Sequence, residues 1–174
     1  SVLPILACVD KKTEPKTTVE PILRVFETPN GWDSMNIEFN TAQPLLAPMK
    51  MAVAPDGRIF VTTQAGQVRL VKNEILQSTP VLTISGVETF GDDGLQGIAL
   101  DPEFSTTGQP GSGRFYTIHH YMSGSYGRPR ISIWRMSTGN PDVANTAPEA
   151  TFDLDSLVAS GGGRPGSHVG ATLQ

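Results

Sequence analysis

The chain has 174 residues, enough for one domain with a buried core. Its 18 glycines and 14 prolines together outnumber its 13 basic and 17 acidic residues, a balance that indicates many turns and favours an all-β fold. The net charge of -4 and the scattered lysines and arginines argue against a nucleic acid partner, and no apolar run is long enough to predict a membrane-spanning segment.

Residues 1–22 show little hydrophobic periodicity and are predicted to form a flexible leader or linker. Cys8 is the single cysteine, which excludes an internal disulfide and a thiolate zinc cluster. It follows Ile5-Leu6-Ala7, which resembles the end of a bacterial lipoprotein signal, so one hypothesis is a lipid attached to Cys8. The other hypothesis is a free cysteine in a frayed terminus.

Short apolar segments separated by turn residues follow this leader. Residues 23–27 predict a first strand, residues 29–31 (Pro-Asn-Gly) predict a turn, and residues 33–47 are expected to be a loop. Residues 49–63 then predict a strand, a Pro-Asp-Gly turn and a second strand, because proline fixes φ and glycine accepts a positive φ.

Two further strands complete a unit of the same kind. After a turn at residues 64–66, residues 67–71 alternate polar and apolar side chains as a half-buried strand does, and residues 80–84 supply a fourth short strand. Four short antiparallel strands within roughly 50 residues match the size of one propeller blade.

The pattern of this unit recurs further along the chain. The first strand recurs 47 residues later, and the arginine-led second strand and the third strand recur after a longer loop at residues 105–113. The matched pairs are residues 51–56 and 98–103, 58–60 and 114–116, and 68–71 and 131–134, with residues 151–154 as the closing strand. Repeats of this length are the sequence sign of stacked supersecondary units.

The repeat therefore predicts that residues 23–174 form the N-terminal part of a β-propeller domain made of four-stranded antiparallel blades, about two to three of which are present. A propeller closes with at least four blades, and an open set leaves unpaired strand edges. We therefore expect the chain to be incomplete or to pair with another chain.

Three segments resemble a known family. The first is residues 48–62 (PMKMAVAPDGRIFVT) with residues 66–70 (GQVRL) after it. The second and most specific is residues 91–104 (GDDGLQGIALDPEF), and the third is residues 167–173 (SHVGATL). The second is similar to a Gly-Leu-Leu-Gly-hydrophobic-Ala-Leu-x-Pro-x-Phe run, and the third to a His-x-Gly-Gly-x-Leu run, of the soluble sugar dehydrogenases that use pyrroloquinoline quinone (PQQ), the glucose/sorbosone dehydrogenase family.

This resemblance implies a six-bladed propeller that holds PQQ and calcium at one mouth of its central channel. It assigns the general base to His168, which takes a proton from the anomeric hydroxyl of the sugar while hydride passes to the quinone. Imidazole suits this role because it is largely neutral near pH 7. The family's calcium ligands and PQQ-holding basic residues would lie beyond Gln174, so the chain alone is expected to be inactive and to bind PQQ weakly or not at all.

The resemblance also implies the partners and the location. The substrate would be an aldose or related sugar, and the electrons would pass to an external acceptor such as a cytochrome. The expected location is the periplasm, the extracellular space or, as a lipoprotein, the outer surface.

The chain departs from the family pattern at four positions. Ser167 stands where some members have an acid before the histidine, and Asp92 stands where some have a glutamine that contacts sugar. Gln96 replaces the second leucine of the run, and Ala171 replaces a second glycine. Ser167 and Asp92 are therefore candidate substrate-binding residues, and the identity of the sugar stays open.

Other polar residues have plainer interpretations. Asp92 and Asp93 give calcium too few oxygen ligands, so a solvated turn is predicted there and not a metal site. His119 and His120 would point to opposite faces of a strand and so cannot share a metal; a polar strand end is predicted. Three arginines are candidates for the carboxylates of PQQ, with a surface role as the alternative: Arg128, Arg130 and Arg164.

Aromatic residues on the proposed strands are predicted to form the core between blades: Phe60, Phe115, Tyr116 and Trp134. The glycine run at residues 161–163 lacks the strand-to-helix context and the following lysine of a phosphate-binding loop. The alternative function is a non-catalytic propeller module that binds carbohydrate or protein, since propellers host many functions. A third possibility is the inactive product of a broken reading frame.

Overall fold

The structure is a computed structural model that describes strands Arg24–Glu27 (β1) and Asp33–Asn36 (β2), together with residues 45–124 and 126–154. All of the regular secondary structure within these parts of the chain is β-strand, which confirms the predicted all-β fold. β1 and β2 form an antiparallel pair in which Arg24 lies opposite Asn36. β1 confirms the predicted first strand, whereas β2 lies in a segment that the sequence predicts to be a loop.

The first of two larger sheets follows in chain order. Its strands are Pro48–Val53 (β3), Ile59–Thr63 (β4), Gln67–Lys72 (β5), Ile75–Leu76 (β6) and Leu82–Thr83 (β7). Strands β3, β4 and β5 are consecutive antiparallel neighbours, joined by turns at the predicted Pro-Asp-Gly and Gln-Ala-Gly positions. The sequence predicts one fourth strand at residues 80–84; the structure instead has two short strands, β6 and β7, that both pair with β5.

The second sheet repeats this order with longer strands. It contains Leu95–Leu100 (β8), Arg114–Ser123 (β9), Tyr126–Arg135 (β10) and Ala150–Asp153 (β11), each antiparallel to the next. The predicted strands of the second repeat therefore all form, and β8 starts 47 residues after β3, as the repeat requires.

An apolar layer between the two sheets forms the core of the described residues. The β3–β4–β5 register places Ala52, Phe60 and Leu70 side by side on one face. On the second sheet, Phe115 lies between Leu100 and Trp134. These faces meet because β3 and β4 both contact β8. The buried members of this cluster are Ala54, Phe60, Val68, Leu70, Val81, Leu82, Ile84, Leu95, Ile98, Phe104, Phe115, Trp134, Met136 and Ala144.

Three of the four aromatic residues predicted to be core occupy this layer. Phe60, Phe115 and Trp134 are almost fully buried, and the Trp134 indole N–H donates to the Thr117 hydroxyl at 2.9 Å. Tyr116 is different: it lies on the opposite face of the second sheet, half-buried, and its hydroxyl donates to Asp101 Oδ2 at 2.7 Å. The polar end of tyrosine explains this position, since it needs a hydrogen-bond partner.

The two sheets are aligned so that β3 and β8 begin at the same end, which we name the leading end. Gln64 follows β4 at this end, where its own carbonyl accepts from Leu95 N–H at the start of β8. The β9–β10 hairpin turns at the same end, because His119 in the second half of β9 lies opposite Leu95, the first residue of β8. β11 finishes there as well, since Asp153 lies opposite Arg130, which in turn lies opposite His119. Loops from both sheets therefore meet at the leading end.

Arg58 joins the two units at the other end. Its guanidinium pairs with Asp56 at 2.8 Å and donates to the Pro141 carbonyl at 2.6 Å, in the loop that follows β10. It also lies 5.5 Å from the ring centroids of Phe60 and Phe104, which themselves meet edge to face. One side chain thus links the first sheet to two loops of the second.

Replacing Arg58 tests this link. We expect Arg58→Ala to lower the free energy of unfolding by about 1–2 kcal/mol, because it removes a desolvated cation–π contact and a hydrogen bond between units. Lys72→Ala is the matched control, since Lys72 pairs with Asp142 in the same loop but lies on the surface, and its loss should cost at most about 1 kcal/mol. Chemical denaturation of both variants measures the difference, and equal losses would contradict the role given to Arg58.

Candidate functional site

The loop of residues 88–94 lies at the leading end, immediately before β8, and carries part of the most family-like segment of the chain. Its first turn is closed by Glu88, whose carboxylate accepts from the N–H groups of Thr89 and Phe90. A second turn follows, in which Asp93 N–H donates to the Phe90 carbonyl at 3.1 Å. The loop backbone is therefore ordered by its own hydrogen bonds.

Gln64 holds this loop from the neighbouring sheet. Its side-chain Nε2 donates to the carbonyl oxygens of Gly91 at 2.8 Å and Asp93 at 3.0 Å, and lies 3.5 Å from that of Thr89. The sequence predicts a turn at Gln64 but not this contact with the loop. No local pattern signals it, because the contacts span 25 to 29 residues along the chain.

Asp92 is the candidate substrate-binding residue that the structure describes, and it lies exposed at the tip of this loop. Its backbone carbonyl accepts a hydrogen bond from the Gln96 side chain, so both the loop and the start of β8 fix its position. The predicted solvated turn fits Asp92 but not its neighbour, because the Asp93 side chain is only 23% exposed.

Asp93 is enclosed by residues of the second sheet. Its carboxylate lies 3.7 Å from Nε2 of His120, and a Cβ atom at Gly127 would lie 2.4 Å from Asp93 Oδ2. Within the described residues neither ring nitrogen of His120 has a hydrogen-bond partner. Glycine at position 127 is therefore required for Asp93 to lie against β10.

His119 lies on the opposite face of β9, as strand alternation predicts, but the predicted polar strand end is wrong. Both histidines lie within β9, and His119 and His120 are only 4% and 2% exposed. Burial lowers the pKa of His119 to about 4, with the positive charge of Arg130 acting in the same direction. The strand is covered on both faces here, which alternation alone does not reveal.

Arg130, a candidate for the carboxylates of PQQ, is bound within its own sheet. Its guanidinium donates two hydrogen bonds, from Nε and Nη2, to the two oxygens of the Asp153 carboxylate, and it lies 3.8 Å from the Tyr121 ring centroid. The hydrogen bonds from Arg130 lower the pKa of Asp153. These contacts add a side-chain link to the backbone pairing between β10 and β11, which favours the surface interpretation for Arg130.

The remaining candidates are divided between the described and the undescribed parts of the chain. Arg128 lies half-buried on β10, opposite Tyr121. Among the residues that the structure describes, no group of three or more histidine, cysteine, aspartate and glutamate side chains is arranged to hold a metal ion. The following candidates lie outside the described residues, together with the predicted leader: Cys8, Arg164, Ser167 and His168.

Two antiparallel sheets of this kind, packed face to face in chain order, are adjacent blades of a β-propeller. The family model of the glucose/sorbosone dehydrogenases matches residues 45–171. The chain therefore belongs to the glucose/sorbosone dehydrogenase family. Curated proteins, by contrast, provide no match.

Several solved structures share the fold of this chain. A glucose dehydrogenase aligns with a TM-score of 0.52 and 21% identity over 63% of this chain and 32% of its own. An oxidoreductase of Thermus thermophilus described as a glucose dehydrogenase aligns with a TM-score of 0.50 and 24% identity, over 63% of this chain and 29% of its own. The soluble aldose sugar dehydrogenase of Escherichia coli, in its apo form, aligns with a TM-score of 0.50 and 18% identity, over 63% of this chain and 29% of its own. The chain thus spans about a third or less of the length of these structures.

The buried state of His119 leads to a prediction about pH. Because its pKa is near 4 in the folded protein and 6.5 in the unfolded chain, only the unfolded chain takes up this proton between those values. Stability should therefore fall as the pH drops from 6.5 to 4, by up to about 3 kcal/mol from this residue. Denaturant unfolding of the wild type and of His119→Gln across this range measures the contribution. A pH dependence that is unchanged in the variant would contradict it.

Proposed function

We propose that this chain is part of a sugar dehydrogenase that oxidises an aldose or related sugar with PQQ as its electron acceptor. The observation that carries the proposal is the family match, which spans both the loop before β8 and the segment with His168. The described residues agree with it, because the loop that carries Asp92 is held by hydrogen bonds and Asp92 is exposed to solvent.

The topology supports a single site at the leading end. The loop with Asp92 precedes β8 at that end, and β11 finishes there, where Leu154 N–H still donates to the Pro129 carbonyl. The chain therefore leaves the second sheet, before Ser167 and His168, at the same end that presents Asp92. In this proposal a sugar bound over this end is contacted by Asp92 from the loop and by Ser167 and His168 from the later segment.

His168 is assigned the general base in this proposal. A neutral imidazole accepts the proton of the anomeric hydroxyl as the carbon–hydrogen bond at that carbon is broken. The two electrons leave the sugar with that hydrogen, and PQQ supplies the two-electron acceptor when it is bound. Ser167 is assigned a hydrogen bond to the substrate, and it orients the histidine less strongly than an acid would.

The carboxylates of PQQ are not assigned to Arg130 in this proposal. Its guanidinium already pairs with the Asp153 carboxylate and lies against the Tyr121 ring. Cofactor and calcium ligands are therefore assigned to other parts of the protein, as the resemblance implies. The described residues contribute the substrate-side loop.

The proposed setting is the periplasm or the cell exterior, with an external protein such as a cytochrome as the final electron acceptor. Lipid attachment at Cys8 would hold the protein on a membrane surface and is part of this proposal. Mass spectrometry of the mature protein purified from membranes tests it, since an acylated Cys8 peptide would be heavier by the mass of the lipid.

Replacing His168 tests the assignment of the base. In the complete protein, His168→Gln should lower kcat by roughly 10²–10⁴-fold, the usual contribution of a positioned base. Binding of PQQ and the midpoint of thermal unfolding should stay unchanged. The measurement is steady-state oxidation of a sugar panel with an artificial electron acceptor. A variant that turns over at the wild-type rate would remove His168 from the site.

Replacing Asp92 tests the substrate side separately. Asp92→Ala should raise KM for the sugar by about tenfold, the worth of one hydrogen bond to a charged group. Asp56→Ala is the control, because Asp56 is also an exposed acid in a turn, but at the opposite end of the sheets. If both variants keep the wild-type KM for every sugar, Asp92 does not contact the substrate.

A further inference from the structure

Gln64 lies where the first sheet meets the loop of the second. It follows β4 directly, and its backbone carbonyl accepts from Leu95 N–H at the start of β8. Its side chain then extends under the loop, where one amide group meets the carbonyl oxygens of Thr89, Gly91 and Asp93. A side chain of the first blade therefore orders the loop of the second.

The fit between Gln64 and the loop is close enough to require glycine at position 94. Gly94 has a φ of 145°, which side chains rarely adopt. A Cβ atom there would also lie 2.7 Å from Gln64 Cγ and 2.8 Å from the Gln64 carbonyl oxygen. The loop backbone at Gly94 therefore lies directly against the Gln64 side chain.

Asp92 lies between the residues that Gln64 holds. The carbonyls of Gly91 and Asp93 on either side of it both accept from Gln64 Nε2. Its own carbonyl is bound by the Gln96 side chain. The backbone of Asp92 is therefore fixed on both sides, while its side chain is exposed to solvent.

We propose that Gln64 is a positioning residue of the sugar site, which holds the loop of residues 88–94 so that Asp92 is presented to the substrate. This inference rests on the proposed function. In this proposal Gln64 does not touch the sugar. Its side-chain amide donates to backbone carbonyls of the loop, and the positions of these carbonyls determine where the Asp92 side chain points. A binding group must be held to within a fraction of an ångström to be effective, so the loop anchor contributes to affinity through Asp92.

The test is a double-mutant cycle in the complete protein. Gln64→Glu keeps the size of the side chain but replaces the amide donor by a carboxylate that repels the three carbonyls. It should raise KM for the sugar by about tenfold and change kcat by less than about threefold. In an Asp92→Ala background the same substitution should change KM by less than about twofold, because there is no longer a group to position.

The control variant is Gln77→Glu. The Gln77 amide also donates to a backbone carbonyl, that of Ile75, but it lies beside β6 and outside the loop. It should leave KM and kcat at wild-type values. If Gln64→Glu does not fold, Gln64→Met provides the same cycle, since methionine fills the space beside Gly94 without a donor.

Two results would overturn the inference and can be told apart from failure of the proposed function. If Gln64→Glu raises KM equally with and without Asp92, the two residues are independent and only the positioning role falls. If it lowers the thermal midpoint and leaves KM unchanged, Gln64 has a merely structural role. A wild-type protein that oxidises no sugar in the panel would remove the proposed function and the inference together.

Discussion

The apolar layer shared by the two sheets is the constraint on which the rest of the structure depends. A four-stranded sheet has too little volume to bury a core by itself, so Phe60 of one sheet and Phe115 and Trp134 of the next are buried only where the sheets meet. Packing the faces together also fixes the relative height of β4 and β8. This height brings Gln64 into hydrogen-bonding distance of the loop before β8.

The repeat also explains which side chains are exposed. An offset of 47 residues relates Met51 to Ile98 and Val53 to Leu100. In the second sheet these positions face the first sheet, and Ile98 is 2% exposed. In the first sheet the same positions lie on the outer face, where Met51 and Val53 are 60% and 61% exposed. In a closed ring of blades every sheet has a neighbour on both faces, so these are the positions that such a neighbour would cover.

Local patterns suffice to predict most strands but not the division of the outer strand into β6 and β7. Alternation and turn residues identify β3, β4 and β5 because each is long enough to show a pattern. β6 has two residues and follows a turn in which Asn73 and Glu74 both have positive φ. Asparagine is common at positive φ, but glutamate is not, so only one of the two turn residues is of the type that predicts a tight hairpin.

The candidate site, like the strands, can be predicted from the sequence only where a local pattern along the chain marks it. Asp92 is identifiable because its neighbours along the chain form a family-like run, whereas Gln64 is not, because its partners are distant in sequence and its type is ordinary in a turn. A loop built this way is correctly shaped only when two blades are packed, since its carbonyls are bound from one blade and Asp93 lies against the other. The same packing that buries Phe60 therefore determines where the side chain of Asp92 can point.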